Sequence, residues 1–159
     1  MRKTETPKLN ATIANIKKLN ATVAKILQAN IDMTNRKLET LVYYCYVWNL
    51  VINSERLFTT EFIAGVHGPF IKQLHSRLQQ TTISDLKNKR LSTSALTDIE
   101  IDIIEQVVHQ YGKFSEIEIV ELVQSEEPWL VARGECKMLD YCPNALDDNL
   151  IKEYYSKLL

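Results

Sequence analysis

The chain has 159 residues, a formal net charge of −1, 45% hydrophobic and 25% charged residues, the make-up of one globular domain with a single core. Its slight acidity argues against non-specific nucleic-acid binding. The longest apolar run, around Leu41 to Trp48, is too short to span a membrane, and the basic start up to Leu9 leads into no apolar secretory core. Without a secretory route, the glycosylation patterns at Asn10 and Asn20 are read as accidental.

A short repeat opens the chain: Lys8-Leu9-Asn10-Ala11-Thr12-Ile13-Ala14 returns as Lys18-Leu19-Asn20-Ala21-Thr22-Val23-Ala24. Leu9, Ile13, Ile16, Leu19, Val23, Ile26 and Leu27 follow the three-to-four spacing of an amphipathic helix. Residues 1–20 form a basic helical extension, which either packs on its own domain or docks a partner, and 21–159 form the domain. Up to Thr40, eight basic residues face three acidic ones, whereas from Asp98 to Glu127 only Lys113 opposes a dense acidic set. Two readings stand open: solvated faces, or an acidic surface that meets a basic partner or the chain's own N-terminus.

Thr34 is an N-cap for a helix running to about Asn53. Its stripe of Leu38, Leu41, Val42, Cys45, Trp48 and Ile52 is widened by Tyr43, Tyr44 and Tyr46, which places it at the centre of a bundle. Leu57–Val66 alternates like a short strand. Only four glycines and four prolines punctuate the chain, yet Gly65, Gly68 and Pro69 fall within five residues. That cluster predicts a tight turn, with Pro69 opening a helix that points Phe70, Ile71, Leu74 and Leu78 inward.

Thr81–Thr97 is polar and reads as a loop tethered by Ile83, Leu86 and Leu91. Capping boxes at Thr97…Glu100 and Ser115…Glu118 start two helices, the first stopped by Gly112 at a C′ position. Pro128-Trp129 begins a short helical piece ending near Gly134, and Asp147 or Asp148 caps a last helix through Tyr154-Tyr155. The fold class is mainly α, with one short β element before the Gly-Pro turn.

Cys45, Cys136 and Cys142 make an odd set that fits a reducing cytoplasm, with Cys45 in the core. None has a histidine at zinc-ligand spacing, so no metal or other cofactor is expected. His67 is the best-placed candidate base, but beside Gly-Pro it reads as a turn hydrogen-bonder. With no phosphate loop and no nucleophile elbow, an enzyme is not expected.

Three blocks resemble the Panacea family of antitoxin domains, which includes SocA-like antitoxins and phage-associated GepA-like proteins. They are Met33-Thr34…Lys37-Leu38…Leu41-Val42-Tyr43-Tyr44…Trp48; Leu57-Phe58, Ile63-Ala64 and Gly68-Pro69; and Tyr111-Gly112…Glu126-Glu127-Pro128-Trp129…Ala132-Arg133 followed by Tyr154-Tyr155. The chain departs from the family at Val123-Gln124, where many members have threonine-histidine, and at Val66-His67, where many have an aromatic. The resemblance covers about Ala21–Leu159 and implies a bacterial or phage-encoded cytoplasmic antitoxin that binds a toxin encoded beside it. The alternative it implies is a proteolytic adaptor or interaction scaffold.

A binding module needs aromatic or arginine anchors. The partner-contact candidates are His67, Gly68, Pro69 and Phe70 at the corner, with Tyr43, Trp129 and Arg133. Tyr43 and Trp129 also suit a core role, and Arg133 suits a pair with Glu126 or Glu127.

Overall fold

A single helix sets the architecture. In the computed structural model, which describes the backbone of residues 2–159 and the side chains of residues 8–159, the Thr34 hydroxyl accepts from the Lys37 amide and starts helix α2, Asn35–Ile52. Every residue from Lys37 to Val47 is buried. A helix buried around its whole circumference must be surrounded, and α2 is packed by α1 (Arg2–Leu27), α5 (Asp98–Tyr111), α6 (Glu116–Gln124) and α8 (Asp148–Ser156). The remaining helices are α3 (Lys72–Leu78), α4 (Ile83–Asn88) and α7 (Glu127–Arg133). The fold is mainly α, with one small sheet among the described residues.

The caps behave as their sequences dictate. Both capping boxes close reciprocally at α5 and α6, Asp147 caps α8, and α7 carries its proline in the first turn. Gly112 ends α5 in the right-handed region at φ −64°, so the left-handed stop expected from the sequence is absent there.

Two segments differ from the sequence reading. Thr81–Thr97 is not all loop: the Thr82 hydroxyl accepts from the Asp85 amide and starts α4, which buries Leu86. The strand is shorter than Leu57–Val66, and Pro69 does not open a helix. Instead β1 (Ile63–Gly65) and β2 (Gly68–Phe70) form an antiparallel hairpin with Ala64 opposite Pro69, and α3 starts only at Lys72. The far edge of β1 is covered: the Ala64 amide donates to Asn144 O and the Leu146 amide to Phe62 O, both at 2.8 Å. Pro69 lies on the other edge, where a missing N–H is tolerated and blocks further strand addition.

Helix α1 is anchored by its second half. Val23, Ile26 and Leu27 are buried, Lys18 pairs with the buried Glu100, and Lys25 Nζ lies 3.0 Å from Glu105 Oε1. The acidic helix α5 therefore meets the chain's own basic N-terminal helix. Leu9, Ile13 and Ile16, which the spacing places on the same apolar stripe, are exposed. Helix α1 runs unbroken through the boundary at residue 20.

Candidate functional site

The corner from Gly65 to Phe70 is fixed by side chains far along the chain. Arg133 Nη1 donates to Ala64 O at 3.1 Å, Trp129 Nε1 to Gly65 O at 2.9 Å, and Gln124 Nε2 to Val66 O at 2.8 Å. Three consecutive carbonyls are thus held by residues of α6 and α7, the Arg133 guanidinium lying 5.7 Å from the Trp129 ring centre. Gly68 supplies the positive φ of the turn, +122°, and a Cβ there would stand 3.0 Å from Val123 Cγ1. Gly65 has no room for a side chain because the Phe70 ring covers it, its Cδ1 at 2.6 Å from a Cβ position.

Arg133 is buried and makes no bond to Glu126 or Glu127. Its Nη2 gathers the loop after α7, donating to Lys137 O, to Met138 O at 3.3 Å and to Asp140 O at 3.1 Å. Carbonyls take the place of the expected carboxylate pair, and with both terminal nitrogens bonded the guanidinium can be buried. The same wrapping joins Cys136 to Cys142 as a disulfide, which the sequence reading of unpaired thiols did not foresee. Cys45 is a free, fully buried thiol whose pKa burial pushes up, as suits a core residue.

Tyr43 has no accessible surface and packs edge-on to Phe62 with ring centres 5.2 Å apart. It belongs to the support of the corner and offers nothing to a partner directly. Beside it, Tyr44 and Tyr155 donate to Glu126 Oε1 at 2.5 and 2.8 Å. Burial raises the Glu126 pKa, and the two phenols pull it back.

The surface of the corner is a cleft of about 690 Å³. His67 is exposed at its rim, Phe70 is half-buried, and Gly68 and Pro69 are buried in its wall. Across the cleft, His75 Nδ1 lies 2.7 Å from Glu39 Oε1, and the Phe70 and His75 ring centres are 5.0 Å apart. Burial raises the Glu39 pKa against the opposing pull of His75. Partial burial, then the Arg36 charge, hold His67 below its ordinary 6.5. Arg36 and Glu39 of α2, His75 of α3 and Tyr141 of the loop after α7 meet at this cleft, and none of the four is among the partner contacts expected from the sequence. His67 and Phe70 are brought together at one opening, whereas Tyr43, Trp129 and Arg133 lie behind it.

Comparison with known proteins gives one family. The family described as antitoxin SocA-like, Panacea domain, matches residues 38–130, from α2 through the hairpin into α7. No match to a curated protein or to a solved structure was found.

Proposed function

The chain belongs to the SocA-like antitoxin, Panacea-domain family, and from that membership we propose that it neutralises a protein toxin encoded by an adjacent gene, by direct binding. The observation that carries the reading is the corner itself. Three carbonyls tied to Arg133, Trp129 and Gln124 hold His67 and Phe70 rigidly at the mouth of an open cleft. A rigid, exposed pair costs little conformational entropy on binding, which is what a contact site needs. The action in this reading is occlusion, which needs a buried contact of ordinary size and no bond made or broken. No cofactor is assigned. No described helix is long and apolar enough to cross a membrane.

Purified chain and purified neighbouring gene product test this by calorimetry. Wild type binds, and His67→Glu, a change at an exposed side chain, weakens binding at least tenfold while leaving the melting temperature unchanged. Equal binding by the variant removes the corner from the interface.

A second reading, an adaptor that delivers its partner to a protease, draws on Leu9, Ile13 and Ile16, which stand exposed beside Lys8 and Lys17. Deleting residues 2–14 then abolishes partner turnover while sparing toxin binding. Lys18 and Asn20 must stay, because they bind Glu100 and Arg77.

A further inference from the structure

We propose that the segment running from α7 into the loop after it is the docking knuckle for the toxin, received by an apolar pocket ringed with lysine or arginine. This rests on the antitoxin reading and extends its contact surface. Leu130, Val131, Met138, Leu139 and Tyr141 are 49%, 57%, 83%, 81% and 67% exposed, five apolar side chains within twelve residues. Scattered exposed apolar residues are ordinary, but a group of this density marks an interaction surface.

The loop is held in place by more than its own backbone. Arg133 ties the carbonyls of Lys137, Met138 and Asp140 to the domain, and Cys136–Cys142 closes the loop at its base. Met138 and Leu139 therefore stand in water on a braced turn, a preordered contact that loses little entropy when a partner covers it. Tyr141 lines the same cleft as His67 and Phe70, so the knuckle continues that opening.

Charge selects the partner. Glu127, Glu135 and Asp140 are exposed around the apolar residues against Lys137 alone. An acidic rim repels anionic lipid surfaces and matches a protein pocket with a basic edge.

Binding of the purified neighbouring gene product to the full-length chain is measured for wild type, Met138→Glu/Leu139→Glu, and Glu135→Lys/Asp140→Lys. All three should melt alike, since the altered side chains are exposed. The expected result is at least a tenfold loss of affinity for the apolar variant. The charge variant should bind more weakly, with a reduced or inverted dependence on salt. Wild-type affinity in both variants overturns the knuckle while leaving the antitoxin reading intact; no binding by wild type overturns both. Wild-type binding to phosphatidylglycerol vesicles, or self-association, that the apolar variant alone loses would assign the knuckle to lipid or to a second copy and overturn it.

Discussion

The indole of Trp129 donates to the carbonyl of Gly65 at 2.9 Å, and the Arg133 side chain that lies against that indole donates to the preceding carbonyl, Ala64. Two residues one helical turn apart thus determine the shape of a hairpin sixty residues earlier in the chain. Trp129→Phe should cost about 1–2 kcal/mol, through an unpaired carbonyl and a smaller ring. Arg133→Met should cost about 3 kcal/mol or more, because it strips a partner from four carbonyls. Denaturant unfolding of both variants and the double variant should give a coupling above roughly 0.5 kcal/mol. Additive losses would mean that the two side chains act independently.

Gly68 is a second sensitive point. At φ +122°, with Val123 Cγ1 3.0 Å from a Cβ position, alanine meets both backbone strain and a packed neighbour. Gly68→Ala should destabilise by about 2 kcal/mol or more. For that reason a substitution at Gly68 is a poor probe of binding, and His67→Glu a good one. An alanine variant with wild-type stability would contradict the turn geometry.

Glu126 gives a pH dependence with a definite sign. Its folded pKa lies above the ordinary 4.5, so the native state holds the proton more tightly than the unfolded state. Its contribution to stability is full below 4.5 and is lost as pH rises through the folded value. Glu126→Gln should therefore gain stability relative to wild type as pH rises from 4.5 toward neutrality. Thermal unfolding against pH measures this, and a difference that shrinks over that range would be the opposite of the expected trend. Glu126→Ala, which leaves the Tyr44 and Tyr155 hydroxyls without their acceptor, should lose about 2–4 kcal/mol at any pH.

The attachment of α1 is a fourth point of test. Lys18→Met leaves Glu100 buried without its cation, although Glu100 still accepts from the Thr97 amide at 2.8 Å. The variant should lose about 1–3 kcal/mol, and amide exchange should quicken in the first half of α5. Lys25→Met, whose partner Glu105 is largely exposed, should change stability by less than about 1 kcal/mol. Equal losses from both would remove the distinction between the buried and exposed pairs.

Features encoded within a few residues were legible in the sequence. Thr34, Thr97, Ser115 and Asp147 each announce a helix start because a cap is a contact between neighbours. Thr82…Asp85 carries the same signal in a polar stretch, where it was passed over. The apolar circumference of α2 marked it as central without any tertiary information. The hairpin was not legible, since what shapes it arrives from Gln124, Trp129, Arg133 and Asn144. For the same reason the cleft could not be read in advance: Arg36 and Glu39 look like an ordinary helix face until α3 and the hairpin pack beside them. Arg133 misled because a guanidinium near two glutamates suggests an ion pair, whereas a loop's worth of carbonyls satisfies it better.

The most direct test of the central claim is cell growth when the neighbouring gene is induced, with and without this chain. The account predicts that the neighbour arrests growth, that the wild-type chain restores it, and that the His67→Glu variant, expressed to the same level, does not. A neighbour that is harmless, or an arrest that the wild-type chain leaves unchanged, would contradict it.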